Sequence, residues 1–211
     1  MRIGILGSGL MGGKLGTVFA RAGHEVVFSY ARTRQKLDHL ARDAGEKARA
    51  GTPAEAAEHA DAVLLAVHWS RVDDVLAQAG SLSGKTLLTC SLPMNEDDSQ
   101  LVVGHSTSGA EVLQEKARGA HVVSAFSTAP SEVLLSVFEK RKTGTPPDLV
   151  YCGDNEHAKR AAAALVRDVG FNPVDLGALS LARLEPFSLL LAQIAYEVSD
   201  NPELSYRFET L

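Results

Sequence analysis

The chain has 211 residues, of which 45% are hydrophobic and 22% charged, with 18 Gly and 8 Pro; this is the composition of an ordinary globular domain and excludes a fibrous or disordered chain. Its formal charge is −5 and its longest basic run is Lys140-Arg141-Lys142, so it carries no nucleic-acid footprint and small-molecule chemistry is the expectation. The most apolar stretch, Phe187 to Ala195, is too short for a bilayer span of about 20 apolar residues, so no membrane partner is expected.

In chain order, Met1-Arg2-Ile3 runs into a strand with no charged, apolar and small-residue leader pattern, and the expected setting is cytoplasmic. Strands are predicted at Arg2 to Leu6, Glu25 to Ser29, Lys47 to Ala50, Asp61 to Val67, Thr86 to Cys90, His121 to Phe126 and Asp148 to Cys152. Their near-continuous hydrophobicity suits strands buried on both faces. Segments of helical period lie between them. One runs from Leu10 to Ala22 and stops at Gly23; another opens on the capping box Thr52-Pro53-Ala54-Glu55 and reaches Ala60; a third covers Asn155 to Val169, followed by the extended-looking Phe171 to Asp175. Pro93 to Gly109 is polar and predicts a long loop over the carboxyl edge of the sheet. Beyond Leu176 the pattern turns helical, with Pro186 opening a second helical segment. Cys90 and Cys152 each sit in a strand-like run with no metal or redox spacing, which predicts buried free thiols and no metal site. The fold class predicted is α/β, a Rossmann-type doubly wound and mainly parallel sheet. It is divided as a dinucleotide-binding domain over 1–176 and a short, mostly helical C-terminal segment over 177–211.

Gly7-Ser8-Gly9-Leu10-Met11-Gly12 is a GxGxxG that follows a strand and opens a helix. In that context Gly7 permits the turn, Gly9 the approach of a pyrophosphate to backbone N–H groups, and Gly12 close helix–strand packing. The end of the second strand faces the adenosine ribose about 20 residues later. There the chain reads Ser29-Tyr30-Ala31-Arg32-Thr33-Arg34, with no carboxylate before Asp38. Arg32 offers a planar fork to a 2′-phosphate, Ser29 and Thr33 offer hydroxyls, and NADP(H) is predicted over NAD. Ala66 and Val67 at the end of the fourth strand are expected to line the cofactor. His68 either contacts substrate or caps the strand, and Trp69 is read as packing.

These residues resemble the NADP oxidoreductases dependent on coenzyme F420, a deazaflavin, and the related N-terminal domain of ferric-reductase membrane proteins. The resemblance rests on the GxGxxG, on Ser29 to Arg32, on Leu65-Ala66-Val67-His68-Trp69 and on Val123-Ser124-Ala125-Phe126-Ser127-Thr128. It rests also on Gly170 to Leu179 with Ala182-Arg183-Leu184-Glu185-Pro186. It implies hydride transfer between NADP(H) and a deazaflavin or flavin, often in a homodimer. Such a reaction asks for positioning more than for side-chain acid–base work. His68, Ser127 and Thr128 are then positional candidates, and Pro93, Ser127, Thr128 and Leu179 would frame the acceptor. The family commonly has Pro at the place of His68, Asn at Ser127, Asn-Pro at Leu92-Pro93 and Pro at Ala178, so the acceptor half is altered. Two alternatives stand beside this reading: a small imine or hydroxyacid reductase, and an NADP-sensing protein in which no hydride moves.

Overall fold

A computed structural model describes residues 1–104 and 106–210. His105, inside the predicted 93–109 loop, and Leu211, at the end of the predicted C-terminal segment, lie outside the described residues. Among the described residues, eight strands form one sheet: β1 (Arg2–Leu6), β2 (Glu25–Ser29), β3 (Ala48–Ala50), β4 (Ala62–Leu65), β5 (Thr86–Thr89), β6 (His121–Ala125), β7 (Asp148–Gly153) and β8 (Asn172–Asp175). Their spatial order is β3-β2-β1-β4-β5-β6-β7-β8. All neighbours pair parallel except β6 and β7, where Ser124 faces Cys152 in an antiparallel register. The α/β Rossmann-type fold is therefore as read, with β8 as an eighth strand where the sequence showed only an extended stretch. The order reverses between β1 and β4, which opens a crevice at their carboxyl ends.

Among the described residues, eight α-helices cover the two faces: α1 (Leu10–Arg21), α2 (Arg34–Ala44), α3 (Pro53–Glu58), α4 (Val72–Ala79), α5 (Gly109–Lys116), α6 (Val133–Lys140), α7 (Glu156–Val169) and α8 (Glu185–Gln193). Successive strand residues point to opposite faces, and both faces are apolar here. Along β4, Ala62 and Leu64 enter the core under α1, α6 and α7, while Val63 and Leu65 enter the core under α3, α4 and α5. This double burial explains the unbroken apolar runs in the sequence. Turn chemistry sets the helix starts. Thr33, Thr52, Ser108 and Asn155 each accept a backbone N–H of the first turn, and Thr52 with Glu55 completes the predicted capping box. α7 ends on Gly170 at φ +114°, a left-handed stop that favours glycine.

The reversal of β7 leaves its first residues beyond the end of β6, and the chain's last segment fills that place. Tyr206 forms an antiparallel bridge with Asp148, whose N–H donates to the Tyr206 carbonyl at 2.8 Å. The Tyr206 hydroxyl accepts the Val150 N–H at 3.0 Å and bonds Thr128 Oγ1 at 2.7 Å. Phe187 and Phe208 stack edge-on against the same ring at 5.6 and 5.4 Å. Tyr206→Phe keeps the packing but strands the Val150 N–H, so it should lower unfolding free energy by about 1–3 kcal/mol, read as a shifted urea midpoint with an unchanged slope.

Candidate functional site

The glycine turn after β1 is built by close approach. Gly7 lies at φ +109°, and a Cβ there would meet the Ala66 carbonyl oxygen at 2.4 Å. A Cβ on Gly12 would fall 1.8 Å from the Gly7 carbonyl oxygen, whereas one on Gly9 would meet nothing within 4 Å. The three glycines thus do different things. Gly7 and Gly12 let the start of α1 sit against the ends of β1 and β4, and Gly9 leaves a backbone cradle open to solvent. α1 begins at Gly9 with no side-chain cap and no acidic residue in its first turn, so its N-terminal N–H groups and dipole face the crevice unneutralised. Leu10 is 72% exposed and, with Met11, lines a cavity beside that end.

The hydroxyls around the turn divide sharply. Ser8 Oγ donates to the Ser29 carbonyl at 2.8 Å, and Ser29 Oγ donates to the Ile5 carbonyl at 2.6 Å; both side chains are buried. Ser29 is therefore a stitch between β1 and β2, and its expected role as a donor to a 2′-phosphate is corrected: its proton is already committed. Thr33 caps α2 by accepting from Lys36 N and stays exposed. Arg34 is turned to Asp38 at 3.1 Å, while Arg32 is exposed and has no ion-pair partner among the described residues. Tyr30 takes a left-handed backbone, φ +56°, and donates its hydroxyl to Asp74 on α4. That contact holds the Asp74 carboxyl below its ordinary range and, with burial as the larger cause, pushes the phenol up.

At the end of β4, Ala66 abuts Gly12 and Val67 N donates to Ser91 Oγ at 3.2 Å. His68 caps the following turn: its Nδ1 accepts from Ser70 N at 3.2 Å, which leaves Nε2 to donate to the Asn95 carbonyl at 3.0 Å, with Asp98 Oδ1 at 3.2 Å. Of the two roles left open for His68, the structure shows the structural one. It ties the β4 turn to residues 94–101, which the Met94–Leu101 bridge closes where the sequence predicts a plain loop.

Two cavities meet at the end of β6. One, of about 240 Å³, is lined by Leu10, Met11, Leu92, Ser127, Thr128 and Tyr196 among others; the second, of about 330 Å³, by Ser124, Ser127, Thr128, Cys152, Glu185 and Ser188 among others. Ser127, Thr128 and Ser188 border both, and Ser188 Oγ donates to Ser127 Oγ at 3.4 Å on the wall the two spaces share. Phe126, at φ +68° and fully buried against Phe19, sets their direction. Pro93 and Leu179 depart from the expectation. Pro93 is buried with its ring close to Gly109, and Leu179 is 2% exposed in the core beneath α5, so neither lines these two cavities; Leu92, Leu181 and Ala182 take those places. Burial pushes the thiols of Cys90 and Cys152 up to about 12, so these free cysteines stay protonated at neutral pH.

Several site residues were not singled out by their sequence. Glu185 is 7% exposed and its Oε1 accepts the Gly109 N–H at 2.9 Å, at the start of α5. Burial raises its carboxyl to about 7 against the pull of those backbone donors. The only hint was its place in Ala182 to Pro186. Tyr196 rides on a π-helical turn, Ile194–Val198, and donates to Glu132 Oε2 at 2.6 Å beside Lys14, pinning the C-terminal segment over the first cavity. Tyr206 had no sequence signal, because its partners lie 56 and 78 residues away.

Residues 2–93 match the family described as NADP oxidoreductase, coenzyme F420-dependent. The rat metalloreductase STEAP3 is 29% identical over 185 residues, 86% of this chain; the chain spans 35% of that protein's length. A candidate F420-dependent NADP reductase from Arthrobacter sp. FB24 superposes with a TM-score of 0.85 at 21% identity, over all of both chains. A hypothetical protein from Sinorhizobium meliloti does so with a TM-score of 0.76 at 26% identity, over 99% of this chain and 96% of its own. The resemblance read from the sequence is borne out, and no helix among the described residues is long and apolar enough to cross a membrane.

Two outcomes test the site's construction. Gly12→Ala should destabilise the fold by about 1–3 kcal/mol or more through its backbone clash, while Gly9→Ala should leave the urea midpoint within about 0.5 kcal/mol of wild type. The Glu185 carboxyl, raised from 4.5 to about 7 in the folded chain, is protonated in both states below 4.5 and ionises first in the unfolded chain. Wild-type stability should therefore fall as pH rises across that window, by on the order of 3 kcal/mol relative to Glu185→Gln, which lacks the slope.

Proposed function

We propose that the protein is an NADPH-dependent oxidoreductase that passes hydride between NADP(H) and a planar acceptor of the deazaflavin or flavin type. The observation that carries this reading is the meeting of an open glycine cradle at an uncapped helix end with an uncommitted Arg32 on one side and an apolar cavity on the other. The residues fit the cofactor. Gly9 leaves room for a pyrophosphate, the N–H groups opening α1 can bind its oxygens, and Arg32 with Thr33 can hold a 2′-phosphate that an acidic residue would repel.

Bound NADPH supplies a hydride from its nicotinamide. The chain's own part is placement. Leu10, Met11 and Leu92 give the first cavity an apolar wall that excludes water, and Ser127 and Thr128 present hydroxyls at its junction with the second. Thr128 is held by Tyr206, so its direction does not depend on the ligand. Fixed stacking of donor and acceptor carbons can supply most of the acceleration in such a transfer. In this reading residues 1–176 bind the dinucleotide and 177–211 complete the acceptor pocket. A homodimer through the exposed Leu184, Leu190 and Val198, and a cytoplasmic setting suited to two free thiols, belong to the same reading.

Fluorescence titration with NADPH and NADH, followed by 5-deazariboflavin, FMN and a cyclic imine in turn, tests it. Tight NADPH binding with oxidation by a deazaflavin or flavin is expected. Oxidation by the imine alone, or by no acceptor, would overturn the acceptor assignment in favour of an imine reductase or a sensor. Arg32→Ala should weaken NADPH binding by about 1–3 kcal/mol and leave NADH nearly unchanged; equal losses would remove Arg32 from the 2′-phosphate.

A further inference from the structure

We propose that Glu185 is the proton donor of the acceptor cavity, so that the second substrate is a planar heteroaromatic whose reduced ring carries a new N–H. The inference rests on the hydride-transfer reading above and concerns the cavity of about 330 Å³ that the NADP half does not use. Glu185 lines this cavity from the first turn of α8, and Ser188, one turn later on the same helix face, lines both this cavity and the one beside α1. A fused-ring ligand that parts the 3.4 Å contact between Ser188 Oγ and Ser127 Oγ can present one edge to the carboxyl while its far ring reaches the space beside the glycine turn.

The surroundings suit a carboxyl that gives up a proton and takes it back. Gly109 N–H anchors Oε1 at 2.9 Å and fixes the group's orientation. The charged and titratable groups that face it from the packed elements are Glu111 on α5 and Cys152 on β7, with Asp154 and Asp175 behind the thiol. Arg183, the cation of this region, is turned away in a two-bond contact with Glu111 at 2.9 and 2.6 Å. Asp175 is likewise paired, with Lys159 at 3.2 Å, so Glu185 keeps only backbone donors and apolar walls, and burial raises its carboxyl to about 7, where both forms are populated at neutral pH. Hydride alone would leave the acceptor ring as an anion. The hydride's electron pair forms a new bond to the ring, to carbon in a deazaflavin or to nitrogen in a flavin; a ring double bond shifts its pair onto a second nitrogen, that nitrogen takes the Glu185 proton, and the carboxylate regains a proton from solvent. NADPH is oxidised, the ring is reduced, and one solvent proton is consumed.

The test uses wild type, Glu185→Gln, which keeps an oxygen for the Gly109 N–H, and Glu185→Asp, which keeps a carboxyl but withdraws it. Carboxyl infrared bands of labelled protein are followed against pH with and without 5-deazariboflavin and FMN, and single-turnover NADPH oxidation is measured over the same range. The expected result is a band that titrates near neutrality in wild type and shifts when one of the two rings binds. Hydride transfer should fall with rising pH above about 7. Glu185→Gln should lose that pH dependence and be roughly a hundredfold slower, with NADPH affinity unchanged. Glu185→Asp should keep the pH dependence at a reduced rate, which decides the matter if the glutamine variant fails to fold. Wild-type rate and profile in Glu185→Gln, loss of pH dependence in Glu185→Asp, or failure of both rings to bind or move the band would overturn the proposal. NADPH titration of the same samples is separate: its failure refutes the NADP reading, while the band shift still reports on the cavity.

Discussion

Everything at the crevice depends on one backbone contact, the approach of Gly12 to the Gly7 carbonyl. No side chain larger than hydrogen fits between them, so α1 is docked against the strand ends at a fixed height. That height decides where its unneutralised N–H groups point and where Leu10 and Met11 meet the end of β6. Gly16 extends the same logic one turn on, since a Cβ there would strike the Phe28 ring at 2.3 Å. The seam thereby fixes α1 to β2 as well, and the start of the β2–α2 connection, with Tyr30 and Arg32, is set by it.

A second layer of the site is built from the opposite end of the chain. β7 runs against β6, and this reversal leaves an unpaired stretch that Tyr206 completes. The same phenol then bonds Thr128. Asp148 contributes from below: its carboxylate accepts Phe208 N–H at 2.6 Å and Asn172 Nδ2 at 2.6 Å, joining the tail to β8. The cavities at the end of β6 are thus held by polar contacts at a sheet defect, whereas the turn after β1 is held by glycine packing.

That difference explains what could be read in advance. The strand positions, the glycine turn and Arg32 are local signals, because apolar periodicity, turn chemistry and charge all act within a few residues. β8 was missed as a strand because Asn172 and Pro173 suit an edge and interrupt the apolar run. Ser29 was misjudged because residue type alone cannot show that its proton is spent on Ile5. Pro93 and Leu179 looked like pocket residues by analogy, but packing against Gly109 and under α5 turned them inward. Glu185 and Tyr206 owe their roles to partners 76 and 78 residues distant, beyond the range of any spacing argument.

The long reach from Thr128 to Tyr206 has a kinetic meaning. Local βα units close short loops and form early, while contacts between distant residues bear a larger closure entropy and come late. The sheet and the crevice at Gly7 can therefore assemble while the tail is still loose. In that state the molecule has its core but no oriented Thr128 and no finished wall at Phe208. The end of β6 thus takes its final shape from the longest-range contact in its surroundings, so its geometry is set by how well the tail docks and not by the sheet alone.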